Sequence, residues 1–144
     1  NMIKNIIYKS EILAIIIRAN YKDNGVKFFT PNEFSQQLGY MNHSKGHIIE
    51  PHLHNNIPRN INFTKEVLFI KSGKVRIDFY SDDKDYIESY ILCKGDVILL
   101  ATGGHGFEML EPTELIEVKQ GPYFANKDKN RFSSVDKKNL IIKN

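Results

Sequence analysis

Along much of the chain apolar and polar residues alternate with a period of two, in short runs cut by turn-forming residues. Successive side chains of a strand point to opposite faces, so this pattern predicts β-structure. Candidate strands cover 11–19, 28–29, 36–41, 47–54, 66–72, 74–80, 86–92, 96–101, 106–110 and 113–120. The turns between the later ones contain Ser72-Gly73, Ser81 to Asp85, Lys94-Gly95, Gly103-Gly104 and Glu111-Pro112, and many short strands spaced in this way suggest a sandwich or barrel. Lys22-Asp-Asn-Gly25 predicts a hairpin between the first two strands. Thr30-Pro31-Asn32-Glu33 has a capping hydroxyl, a proline suited to the first helical position and a carboxylate three residues after the cap. It predicts one short helix over 31–37.

Parity along each run assigns faces. Val75, Ile77 and Phe79 share one parity and should face the interior, with Arg76, Asp78 and Tyr80 on the other side. Ile116 and Val118 should likewise face inward and carry Gln120 with them. In 47–54, Ile48, Glu50, His52 and His54 share a face.

A chain of 144 residues makes one domain with a single sizeable core. It divides into N-terminal strands and helix over 3–45, a motif-bearing barrel over about 46–123 and a polar tail over 124–144. The tail reads as a covering segment or as a strand lent to a partner. Hydrophobic residues at 41% and charged residues at 26% place the chain among globular proteins. Twenty Lys and Arg against seventeen Asp and Glu leave a net charge of +3, which does not argue for a nucleic-acid partner. The apolar run 12–17 is far shorter than the roughly 18 residues of a membrane span. No membrane is expected, and a soluble, cytoplasmic protein is. Cys93 is the single cysteine, so no internal disulfide can form, and it reads as an inert structural thiol.

The candidate chemistry lies between Gly46 and His105. His52 and His54 would project from one strand face, Glu66 heads the next apolar strand, and His105 follows a strongly apolar run ending at Gly103-Gly104. Three imidazoles and a carboxylate form an ordinary ligand set for a divalent transition metal, with iron, nickel, manganese and zinc all compatible. Glu50 shares the histidine face as a second carboxylate. The connection 55–65 joins two expected ligands to a third, so its middle should arch near the cavity mouth as a lid candidate. Its charges, Arg59 and Lys65, are positive, and Asn55, Asn56, Asn60 and Asn62 can hydrogen-bond hydroxyls. That set suits an anionic or polyhydroxylated small molecule, with Arg59 shaped to fork onto phosphate or carboxylate. Tyr40, read as core or cavity wall, and Gln120 complete the substrate-side candidates.

Gly46, His52, His54, Glu66 and Gly73 resemble the first signature motif of the cupins, and Gly95, Gly103 and His105 resemble a looser form of the second. The connection between His54 and Glu66 is much longer than in that pattern, Ala101 stands at its proline and Met109 at its final asparagine. The resemblance implies an all-β, double-stranded β-helix (jelly-roll) barrel with a metal held by His52, His54, Glu66 and His105. It also implies a similarity to small cupins of bacterial surface-polysaccharide gene clusters. Fold alone does not set the reaction. The first expectation is a metal-dependent isomerase or epimerase acting on a sugar or sugar-nucleotide-like molecule in polysaccharide biosynthesis. The alternatives are a non-catalytic binding or sensing domain, an iron-dependent dioxygenase and a metal-free epimerase with His52 or His54 as general base. Glu50, His52 and His54 are the catalytic candidates. A homodimer is expected, with 11–19 covering or extending a sheet.

Overall fold

The computed structural model describes residues 2–125 and 127–144. Its strands are β1 (Ile3–Tyr8), β2 (Glu11–Ile17), β3 (Gly25–Phe28), β4 (Gly39–Asn42), β5 (Glu66–Ser72), β6 (Lys74–Tyr80), β7 (Tyr86–Cys93), β8 (Val97–Leu100), β9 (Gly104–Met109), β10 (Glu114–Lys119) and β11 (Ile142–Lys143). Among the described residues the only helical element is a 3₁₀ turn at Lys137–Asn139, and no helix is long and apolar enough to cross a membrane. A five-stranded sheet runs in the order β1-β2-β8-β5-β10, a four-stranded sheet in the order β11-β7-β6-β9, and β3 pairs with β4 as a ribbon. All pairings are antiparallel except that of β11 with β7.

Alternation explains why the two larger sheets stack. On β5, Glu66, Leu68 and Ile70 are buried while Phe69 and Lys71 are exposed. Leu13, Ala14, Ile16, Leu68, Ile70, Ile98 and Leu100 of one sheet and Val75, Ile77, Phe79, Tyr90 and Leu92 of the other form one core. Burying each such aliphatic or aromatic side chain contributes about 1.5–3 kcal/mol. The chain passes from one sheet to the other through Gly73, at φ 91°. A Cβ there would strike the Pro112 carbonyl and the Thr113 hydroxyl, so both conformation and space require glycine. Asp96 fastens another crossing. Its carboxylate accepts from the Cys93 amide (2.8 Å), the Ala19 amide (2.8 Å) and the Arg18 guanidinium (3.1 Å). Cys93 itself is exposed rather than buried in the structure.

The tail crosses the outer face of the four-stranded sheet of its own chain. The Val135 amide donates to the Tyr80 hydroxyl (2.9 Å), the Ile141 amide to the Tyr86 hydroxyl (2.9 Å), and the Ser89 amide to the Ile141 carbonyl (2.8 Å). Beneath it Arg76, Asp78 and Ser89 are buried. Arg76 forks onto Asp78 at 2.8 and 3.1 Å, the Ser89 hydroxyl donates to Asp78, and Tyr86 meets Ser89 at 2.7 Å. Arg76, Asp78 and Ser89 beneath the tail thus each have a partner.

Several expectations are corrected. The helix over 31–37 is a loop, because the Thr30 hydroxyl does not cap it. That hydroxyl instead donates to Gln37 Oε1 (2.7 Å) and accepts from the Leu38 amide (3.3 Å), while the Gln37 amide donates to the carbonyls of Pro31 and Phe34, both at 2.9 Å. Side-chain bonds of this kind compete with helix formation. Asn24-Gly25 does not join β2 to β3, since β3 pairs with β4. The strand 11–19 is not an edge, because β2 lies between β1 and β8. Ile116 and Val118 face outward. They pair with Phe69 and Val67, so Leu115, Glu117 and Lys119 share the inward face with Ile70, Leu68 and Glu66. No strand forms over 47–54, and residues 43–63 are exposed. Pro51 can donate no ladder bond, and Ile48-Ile49 breaks the alternation.

Candidate functional site

The row Ile6, Ala14, Leu100, Glu66 runs across the inner face of the five-stranded sheet, one residue from each of β1, β2, β8 and β5. Glu66 is therefore a carboxylate where the pattern otherwise puts an apolar side chain, and it is buried. Lys119 continues the row on β10. From the other sheet, His105 on β9 stands opposite Phe79 of β6 and so shares its inward face. The two sheets meet chemically here, with His105 Nε2 at 3.6 Å from Glu66 Oε2 and Lys119 Nζ at 3.9 Å from Glu66 Oε1. The contact with His105 holds the Glu66 carboxyl below the usual carboxylate range, against the opposing effect of burial, and the charges of Lys119 and Lys129 add to it.

Glu66 and His105 form part of the wall of an open cavity of 1120 Å³ at the end of the sandwich where β5 begins and β6 and β8 finish. Phe63, Tyr80, Phe107 and Glu117 line it, together with Lys129, Arg131 and Phe132 of the tail. A second cleft of 700 Å³ shares Asn62, Phe63, Thr64, Asp128, Lys129 and Arg131 with the first and adds Arg59, Lys119, Gln120, Tyr123 and Phe124. The Thr64 hydroxyl donates to Asp128 at 2.7 Å and so ties the end of the 55–65 connection to the tail. The connection lies at the rim of both clefts.

The structure brings together some of the expected site residues and separates others. Glu66 meets His105, and Arg59 and Gln120 line one cleft. Tyr40 packs edge-on against Tyr21 in the β3–β4 ribbon, with centroids 4.9 Å apart, and lines neither cleft. Glu50, His52 and His54 are exposed and also line neither. His52 Nδ1 lies 2.9 Å from the Glu50 carbonyl, and the His52 and His54 rings stand 5.2 Å apart. The strand that would have aimed both imidazoles at Glu66 does not form. Among the described residues no group of three His, Cys, Asp or Glu side chains is placed to hold a metal ion. The expected four-ligand set thus meets only by half and does not fit a metal in this arrangement.

Lys119, Lys129 and Arg131 were not foreseen. Lys119 was legible in principle, since correct pairing of β5 with β10 sets it opposite Glu66. Lys129 and Arg131 lie in a polar tail with no periodicity to place them. No protein-family model, no curated protein and no solved structure matches this chain.

Proposed function

We propose that the chain is a cupin-like β-sandwich whose end cavity takes an anionic, polyhydroxylated small molecule such as an acidic sugar derivative, with Glu66 and His105 moving a proton on it. One observation carries this reading: a buried carboxylate beside an imidazole at 3.6 Å in the wall of an open cavity. Buried charges are costly unless paired, and this pair is longer than a good hydrogen bond, which leaves both groups able to tighten on a ligand. The adjoining cleft, which shares Lys129 and Arg131 with the cavity, adds Arg59 and Lys119 and has Asp128 as the one carboxylate of its described lining, so it supplies the positive field for the anion, while Asn62 offers hydrogen bonds to hydroxyls. Among the reactions considered, proton transfer next to a carbonyl, as in isomerisation or epimerisation, needs only such an acid–base pair and a cation to hold the substrate.

The test is calorimetry against uronates, sugar phosphates and nucleotide sugars, with neutral sugars as controls. Any ligand that binds is then incubated in D₂O and followed by NMR. The expected result is saturable binding of an acidic sugar and deuterium uptake that His105→Asn abolishes. Failure of every acidic sugar to bind would sink the reading, and binding without exchange would leave a sensing domain. A second reading retains the divalent metal, because Glu66 and His105 are already adjacent and His52 and His54 lie on an exposed segment outside both sheets. A rise in melting temperature on adding zinc or manganese, lost in a His52→Ala/His54→Ala double variant, would favour it.

A further inference from the structure

β10 is the terminal strand of the five-stranded sheet, with β5 on one side and, among the described residues, no strand on the other. The Gln120 amide donates to the Lys65 carbonyl at 3.0 Å, so by antiparallel alternation Ile116 and Val118 also bond towards β5. Leu115, Glu117 and Lys119 then turn their backbone N–H and C=O groups to the open edge. An unpaired edge of this kind is a template for another strand. Exposed apolar side chains lie on the outer face of β10, Ile116 (52%) and Val118 (60%), with Phe69 (39%) of β5 beside them.

We infer that β10 pairs antiparallel with the β10 of a second copy, in a register centred on Val118, and that the partner's Glu117 and Lys119 extend the wall of the Glu66 cavity. Faces must match across a two-fold axis normal to the sheet, so the centre falls on a residue rather than between two. Charge chooses among the possible centres. At Glu117 the two carboxylates would oppose each other, and at Ile116 each Glu117 would oppose a leucine. At Val118 each Glu117 opposes a Lys119, giving two symmetric ion pairs flanking a Val118–Val118 contact. These pairs fall on the residues whose backbone groups are free for the ladder. Glu117 and Lys119 sit on the inward face, where Glu117 lines the large cavity and Lys119 the second cleft. The joined sheet would therefore bring the two cavities side by side.

Sedimentation of the wild-type chain should show a dimer at micromolar concentration. In a Cys93→Ser background, Val118→Cys should cross-link to twice the chain mass under oxidised glutathione, because directly opposed residues at such a position stand at disulfide distance. Ile116→Cys should not. Glu117→Lys should weaken dimerisation by about tenfold, the effect of two lost pairs, and Glu117→Lys/Lys119→Glu should restore it. A wild-type chain that sediments only as a monomer overturns the inference, as does preferential cross-linking through Ile116→Cys.

Discussion

Two buried polar clusters sit on the two sheets and differ in how completely they are matched. Under the tail, close hydrogen bonds join Arg76 to Asp78, Asp78 to Ser89 and Ser89 to Tyr86. At the end cavity, the partners of Glu66 among the described residues stand at 3.6 and 3.9 Å, and it faces open space. A burial count treats the two alike. The difference shows that a buried charge points to function only where its partners are slack and a ligand can reach it; a fully satisfied network holds the fold.

The largest effect should come from Asp78→Ala. It removes the two-pronged partner of the buried Arg76, leaving the guanidinium with the Glu108 carboxylate at 3.4 Å, and urea unfolding should show a loss of about 3–5 kcal/mol. Glu66→Gln should cost less than about 1 kcal/mol at neutral pH, since the amide keeps the shape and the carboxylate it replaces has no close hydrogen bond to His105 to lose. Equal losses for the two would break the comparison. Once a ligand is found, Arg59→Ala should weaken its binding by about 1.5–3 kcal/mol through loss of a charge-assisted bond, measured by calorimetry. An unchanged dissociation constant would make the 55–65 connection a simple linker. Tyr86→Phe should loosen the tail by about 1 kcal/mol, read as faster amide exchange at Ile141.

The smallest effect is the pH dependence of Glu66. Its folded-state carboxyl titrates below the usual range, so the unfolded chain takes up the proton first as pH falls. The stabilisation is complete above the ordinary carboxylate range and is lost as pH falls through the depressed folded value. Urea midpoints from about pH 6 to about pH 3 should therefore fall more in the wild type than in Glu66→Gln.

Where alternation is strong the strands were legible. The bounds of β5 and β6 coincide with the expected runs, as does the inward row Val75, Ile77 and Phe79. β1 was missed because its turn uses Lys9 and Ser10 at φ 48° and 66°, residues that carry no signal for left-handed backbone. The site was half legible. Glu66 and His105 could be named from their runs, but their meeting depends on which strands end each sheet. The tail residues are placed by Tyr80 and Tyr86, and pairings over such distances leave no local mark.

The clip at Asp96 bears on how the chain folds. Arg18 and Asp96 lie 78 residues apart, and β2 gains its second neighbour only when β8 reaches it. Until then the isoleucine-rich β2 can be covered on one side alone, by β1. Closing so long a loop before any contact rewards it slows folding towards the millisecond-to-second range. During that interval Ile12 to Ile17 is the segment most exposed to wrong pairing, and chaperone holding or low temperature during expression should raise the yield of native chain.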